Sequence, residues 1–222
     1  MIYKMKAISN IQYITRSKTE ISILDEVKTV LKSGINWVQL RVKDDSLDIL
    51  SIAQQVKRLT DEHQATLIIN DRVALAKQIN ADGVHVGLND MPIDEVRKIL
   101  GDHKIIGGTA NTLADAKNVE LLGGDYVGLG PYRHTTTKQK LSPILGIDGF
   151  KSIIPKKDTY GWDILNFNIP IIAIGGLQLD DIKLLKQQTG IYGIALSGLI
   201  YRSINRKNLV KKIRYLVTNN II

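Results

Sequence analysis

Short runs of β-branched and aliphatic residues recur along the chain, separated by stretches in which apolar residues return every three or four positions. The first pattern predicts buried strands and the second amphipathic helices. Strands are predicted at Ile11–Thr15, Trp37–Val42, Thr66–Asn70, Gly83–Gly87, Lys104–Thr109, Tyr126–Gly130, Pro170–Gly175 and Tyr192–Ser197. Helices are predicted at Ser22–Lys32, Ser46–Glu62, Val73–Asn80, Pro92–Leu100, Leu113–Leu122 and Leu179–Gln188, with another beginning near Ile147 and a last from about Lys207 to Thr218. Strict alternation requires parallel strands joined by right-handed crossovers, and eight such units in this length describe an α/β fold, a single (β/α)8 TIM barrel. A doubly wound open sheet would need a phosphate loop after its first strand, and Thr15-Arg16-Ser17-Lys18-Thr19 has no glycine to form one.

Helix starts agree with this division. Thr112 followed by Asp115 has capping-box spacing, and Asp90 before Met91-Pro92 predicts proline in a first helical turn with Asp90 as its cap. One irregular stretch, Ser142–Asn168, is interrupted by Pro155-Lys156-Lys157-Asp158 and Tyr160-Gly161-Trp162 and is read as an elongated connection between strands six and seven. No low-complexity linker divides the 222 residues, so residues 1–222 are read as a single catalytic barrel domain.

Composition narrows the setting. A 44% hydrophobic, 23% charged chain without apolar runs of about 18 residues excludes membrane spans. The first residues, Met1-Ile2-Tyr3-Lys4-Met5-Lys6, lead into polar Ser9, Asn10 and Gln12 rather than an apolar signal core, and there is no cysteine. A cytoplasmic location is therefore expected, with no disulfide, thiolate metal site or cysteine nucleophile. The net charge of +8 favours anionic partners. Much of the excess lies in Arg202–Lys207 and Lys211–Arg214, which reads as a solvated helix face. Aromatic interleaving and nucleic-acid motifs are missing, so phosphorylated small molecules are expected and nucleic acid is not. Self-association into a homo-oligomer is compatible with this composition.

The chemistry concentrates at strand ends. Asp71 and Asp90 each lie just past a strand, with the helical stretch Val73–Ile79 between them, so one β-α-β unit delivers both acids to the same sheet edge. Mg²⁺ takes one or two protein carboxylates and draws its other ligands from water and phosphates, and the pair therefore reads as a diphosphate site. The plainer reading makes Asp71 a helix cap and Asp90 a turn residue. In strand two the period of two sets Gln39, Arg41 and Lys43 on one face and Val38, Leu40 and Val42 on the other. The apolar set must face the helices, which sends the cations toward the lumen or mouth, where anions must compensate them. Those anions are acidic residues of neighbouring strands, a ligand, or both.

After strand six, Gly128–Lys138 is dense in donors: Thr135, Thr136 and Thr137 offer hydroxyls, and Lys138 can neutralise a leaving group. The ends of strands seven and eight, Ala173–Leu177 and Leu196–Leu199, hold Gly175, Gly176 and Ser197, where barrels commonly bind phosphomonoesters. Of the four histidines, His63 and His103 fall near helix ends, His85 faces inward by parity, and His134 lies in the threonine loop within reach of a substrate. No Ser-His-Asp, Cys-His or closely spaced His-metal constellation is present.

Taken in order and spacing, Gln39-Leu40-Arg41-Val42-Lys43, Asn70-Asp71-Arg72, Gly83–Gly87 with Asp90, Thr135–Lys138, Ala173–Gly176 and Ser197 resemble the thiamine-phosphate synthase family over nearly the whole chain. The resemblance implies a Mg²⁺-dependent transferase joining 4-amino-2-methyl-5-hydroxymethylpyrimidine diphosphate to 4-methyl-5-(2-phosphoethyl)thiazole. Diphosphate departs first and the thiazole nitrogen captures the pyrimidine-methyl cation. Such a reaction leans on electrostatics, with Mg²⁺, Arg41, Lys43 and Lys138 suited to stabilising the leaving group. By the same resemblance, Asp71 and Asp90 match the metal ligands, and Gln39, Arg41, Lys43, Asn70 and Lys138 the pyrimidine-diphosphate contacts. Thr135, Thr137, Gly176 and Ser197 match the thiazole-phosphate contacts, with Gly175 beside them. Thr109 stands where the family often has a serine on the diphosphate side, and the connection after Lys138 is longer than in the shortest members. Two alternatives use the same barrel. One is a thiazole tautomerase, whose relatives lack the full metal and diphosphate set, and the other is a non-catalytic barrel that binds thiamine phosphates.

Overall fold

A computed structural model of the chain describes residues 8–16, 21–44, 46–135, 143–154, 167–189 and 191–218. Each predicted strand forms, as β1 (Ile11–Ile14), β2 (Trp37–Leu40), β3 (Thr66–Asn70), β4 (Gly83–Val86), β5 (Ile105–Ala110), β6 (Tyr126–Leu129), β7 (Ile171–Ile174) and β8 (Gly193–Leu196). All neighbours pair in parallel, and β1 pairs with β8 to close the barrel in chain order. Between the strands run α1 (Ile23–Lys32), α2 (Ile49–Glu62), α3 (Val73–Gln78), α4 (Ile93–Leu100), α5 (Leu113–Leu121), α6 (Gly146–Ile153) and α7 (Leu179–Thr189). After β8 come the short α8 (Gly198–Tyr201), which the sequence pattern does not reveal, and α9 (Arg206–Thr218).

Side-chain parity sorts the core into two zones. Outward residues such as Val38, Leu40, Leu67, Ile69, Val84 and Ile106 meet helix residues such as Val27, Val56 and Val96 in one continuous apolar layer. Burying each such side chain contributes about 1.5–3 kcal/mol. Inward residues Ile14, Trp37, Ile68, Ile105, Tyr126, Ile172 and Ala195 fill the lumen as a second cluster. The basic C-terminal run behaves as expected: Val210, Ile213, Leu216 and Val217 of α9 are buried while Lys207, Lys211 and Lys212 are exposed.

Helix ends decide which acids remain free for chemistry. The Ser22 hydroxyl caps α1 by accepting the Asp25 amide at 3.1 Å, and Thr112 and Asp115 form the expected capping box on α5. Asp90 does not cap α4, whose N-cap is Pro92 with no side-chain cap bond. Its carboxylate turns back to accept the Gly87 amide at 2.7 Å. Asp71 does not cap α3 either, since Arg72 occupies that position without a side-chain bond. The cap reading of Asp71 falls away, whereas Asp90 does sit in a turn, its amide donating to the Gly87 carbonyl at 3.1 Å. Of the irregular connection between β6 and β7, residues 155–166 lie outside the described residues.

Candidate active site

The carboxyl ends of the parallel strands converge on one rim. At the end of β2, the Arg41 amide donates to the Thr15 hydroxyl at 2.8 Å and that hydroxyl donates to the Arg41 carbonyl at 3.2 Å. This clasp extends the β1–β2 pairing past the strands and fixes the backbone that carries Arg41. Arg41 is half-buried, and burial lowers its pKa while the Asp71 charge opposes the shift. Two residues on, Lys43 is exposed and its ammonium pairs with the Asp71 carboxylate. The strand-two cations thus face the mouth as parity predicts, and the ion pair to a neighbouring strand end exists as well.

Asp71 adopts a φ of +60°, in the left-handed region, which costs a non-glycine residue about 1–2 kcal/mol. Its amide holds it there by donating to the His85 carbonyl at 2.8 Å, while its own carbonyl accepts the Val73 amide at 3.1 Å. The bend turns the Asp71 carboxyl toward Asp90, close enough for the two to share a hydrogen bond. Gly87 makes the approach from the other side feasible, because a Cβ there would lie 2.8 Å from Asp90 Oδ2. Burial raises the pKa of Asp71, but Lys43, the Asp90 hydrogen bond and His85 together outweigh it and hold the carboxyl below its ordinary value. Asp90 is driven the other way, by lost hydration and then by the adjacent Asp71 charge. Two carboxylates forced together in this way suit a shared divalent cation. Among the described residues no cluster of three or more His, Cys, Asp or Glu is built for a metal, so a cation here would complete its shell with water and substrate oxygens.

Below the rim, Gln39 is buried and its Nε2 makes no hydrogen bond. Thr109, near the end of β5, is tied to His85, whose Nε2 lies 3.0 Å from Oγ1. Asn70, half-buried, ends β3 beside His85 in the register.

Opposite this group, β6 and β7 knit their following loops together. The Tyr132 amide donates to the Ile174 carbonyl and the Arg133 amide to the Gly175 carbonyl, both at 2.9 Å. Gly175 and Gly176 have φ of +94° and +69°, and a Cβ on Gly176 would meet the His134 carbonyl at 2.6 Å. Both positions therefore require glycine. Arg133 grips Asp181 at the start of α7 with two bonds, Nε to Oδ2 at 2.8 Å and a terminal nitrogen to Oδ1 at 2.6 Å. Burial raises the Asp181 carboxyl, and Arg133 with the Gln178 amide more than reverses this, leaving it below its ordinary value. This grip is absent from the sequence reading; Asp181 in a first helical turn is its only local signal. Ser197 is the N-cap residue of α8, yet its buried Oγ bonds nothing. Thr135 is half-buried at the end of the described loop, and Thr137 and Lys138 lie outside the described residues.

Four buried side-chain polar atoms among the described residues lack a hydrogen-bond partner: Glu26 Oε2, Trp37 Nε1, Gln39 Nε2 and Ser197 Oγ. Two of them belong to residues expected from sequence to touch substrate. An unpartnered buried donor costs about 1–3 kcal/mol, a cost that a bound polar ligand removes.

The rim can be set beside known proteins. A family profile described as thiamine monophosphate synthase matches residues 11–200. The thiamine-phosphate synthase of Flavobacterium psychrophilum is 47% identical over 206 residues, covering 92% of this chain and 97% of the relative. That of Flavobacterium johnsoniae is 44% identical over 215 residues, covering 96% and 99%. Among solved structures, thiamine phosphate pyrophosphorylase from Pyrococcus furiosus superposes with a TM-score of 0.77 at 28% identity, covering 96% of this chain and 97% of that one. A 3-hexulose-6-phosphate synthase, at 15% identity and a TM-score of 0.68 over 95% of this chain and all of its own, shares the fold.

Proposed function

The chain belongs to the thiamine monophosphate synthase family and is a transferase, and from that premise we propose how its rim carries out the transfer. The substrates are the pyrimidine-methyl diphosphate and the thiazole phosphate named above. The observation that carries this reading is the contact between the Asp71 and Asp90 carboxyls beneath Lys43 and Arg41, an anion pair and a cation pair on adjacent strand ends.

The diphosphate lies over the β2–β4 half of the rim. There Arg41 and Lys43 bind its oxygens, and Asp71 and Asp90 hold Mg²⁺. When bound, that ion supplies Lewis-acid neutralisation of charge on the departing diphosphate. Gln39 and Asn70 orient the pyrimidine end, and Thr109 and Lys138 add donors to the leaving group. On the opposite half, Gly175, Gly176, Thr135, Thr137 and Ser197 seat the phosphate of the thiazole. The two ligands then meet over the lumen, with the thiazole nitrogen facing the carbon that the diphosphate leaves. Holding both partners in line removes the entropic cost of their encounter, and closing them off keeps water from capturing the cation. No general base is needed at the nitrogen, which attacks through its own lone pair and carries no proton to remove.

No helix among the described residues is long and apolar enough to cross a membrane. We place the reaction in the cytoplasm, where a cysteine-free chain acting on phosphorylated precursors fits.

Incubating the purified protein with both substrates, with and without Mg²⁺, and measuring diphosphate and thiamine phosphate tests the reading. Metal-dependent release of both products in equal amounts is expected. Isomerisation of a thiazole carboxylate phosphate, with no diphosphate released, would replace this reading with the tautomerase.

A further inference from the structure

Along the barrel axis lies a set of polar groups that the transfer scheme leaves without a role. Gln12 Nε2 donates to the Tyr126 hydroxyl at 3.2 Å, and that hydroxyl lies 3.0 Å from His85 Nδ1. His85 Nε2 lies 3.0 Å from Thr109 Oγ1, so the chain of contacts runs from β1 through β6 and β4 to the rim of β5. Backbone choices make room for it. A Cβ on Gly107 would collide with the Tyr126 ring, and one on Gly128 would lie 2.9 Å from His85 Cε1. The two rings sit with centroids 5.4 Å apart, and Trp37 meets the edge of Tyr126 at 5.0 Å.

The direction of this chain follows from its first member. An amide nitrogen only donates, so the Tyr126 oxygen accepts there and its single proton is available to His85. Burial raises the Tyr126 pKa far above the ordinary phenol value, so the proton stays on the oxygen. The Gln39 side chain also approaches this hydroxyl, although its Nε2 does not reach hydrogen-bond geometry. Donated to Nδ1, that proton makes the nitrogen an acceptor, and a neutral imidazole accepting at Nδ1 carries its hydrogen on Nε2. That hydrogen goes to Thr109 Oγ1, which fills one acceptor site of the threonine and leaves its own proton unclaimed by the network.

We propose that Gln12 and Tyr126 lock His85 in the Nε2–H tautomer, and that His85 thereby turns the Thr109 hydroxyl into a donor toward an anionic oxygen of the diphosphate substrate. The proposal rests on reading Thr109 as a diphosphate contact, with Gln12, Tyr126 and His85 as positioning residues behind it. With the opposite tautomer, Thr109 would spend its proton on His85 and present only lone pairs to an anion. A preset donor needs no reorganisation as charge develops on the leaving group.

The tautomer is directly measurable. Long-range ¹H–¹⁵N correlation on ¹⁵N-histidine-labelled protein, with His85→Asn to identify the His85 signals, reads it without substrates or turnover. The Nε2–H pattern is expected in the parent protein, and a mixture of both tautomers in Tyr126→Phe. An Nδ1–H pattern in the parent, or an unchanged tautomer in folded Tyr126→Phe, overturns the proposal. In turnover, Thr109→Val should lose about a hundredfold in kcat, with Thr109→Ser restoring most of it. Tyr126→Phe should lose roughly tenfold in kcat with KM for the thiazole phosphate unchanged. A purely structural Tyr126 would instead lower Tm and leave the tautomer as it was. A protein that makes no thiamine phosphate refutes the proposed function, and the tautomer still decides the direction of the chain.

Discussion

Across the mouth of the barrel, the side formed by β2, β3 and β4 presents charged groups pressed against one another, whereas the side formed by β6, β7 and β8 presents glycines, a loop backbone knitted by hydrogen bonds and the unpartnered Ser197 hydroxyl. On the first side Asp71 and Asp90 push each other's titration apart, with Lys43 and Arg41 as the cations that face them. On the proposed reading, a cation shared by the two acids and an anionic ligand held by the two bases complete that side. On the second side Arg133 and Asp181 neutralise each other. On the function proposed above, the contrast sets opposing charges where charge changes during the reaction against a glycine-built cradle where it does not.

The contrast can be broken most forcefully on its charged side. Asp90→Asn should cut turnover about a thousandfold and weaken Mg²⁺ dependence, while Tm stays level or rises because a like-charge contact is relieved. Steady-state rates and thermal melts of the same preparation check both halves of that statement, and a variant with near-normal turnover in Mg²⁺ would remove Asp90 from the metal site. On the neutral side Gly176→Ala should act through shape. A methyl at a φ of +69° facing the His134 carbonyl at 2.6 Å costs about 1–3 kcal/mol and should raise KM for the thiazole phosphate more than it lowers kcat. Denaturant unfolding and a KM-against-kcat comparison measure these effects.

The smallest effect belongs to the Arg133 grip. Arg133→Ala should destabilise the fold by about 1 kcal/mol, since the guanidinium is more than half exposed and screened by water. Asp181 has a depressed folded pKa, so its contribution is present above the unfolded carboxyl value of about 3.9 and is lost as pH falls through the lower folded value. The stability gap between parent and variant should accordingly be full at neutral pH and close in strong acid. Paired unfolding curves at the two pH values decide it; a gap that widens in acid would show that the grip does not hold Asp181 ionised.

Much of this arrangement is legible in the residues themselves. The alternation of strand and helix patterns places all eight strands, and parity in Trp37–Lys43 correctly separates the lumen side from the helix side. Four-residue α8 escapes because it is shorter than the period that would reveal it. Asp90 reads as a helix cap because it precedes Met91-Pro92, and only the fold turns its carboxylate back onto Gly87. The Arg133–Asp181 grip joins residues 48 positions apart, beyond any local pattern. His85 has inward parity in the sequence, but its partners come from β6 and β5.

What the residue order determined alone is the class of fold and the kinds of group at each strand end, because the periods of strands and helices are properties of the local backbone. Which of those groups meet was decided by closing the barrel. The β3–β4 register sets Asn70 beside His85, the left-handed bend at Asp71 brings two carboxyls together, and missing side chains at Gly107 and Gly128 admit the rings that link Gln12 to Thr109. Contact energies of this kind depend on distance through space, and distance through space appears only when the strands are in register.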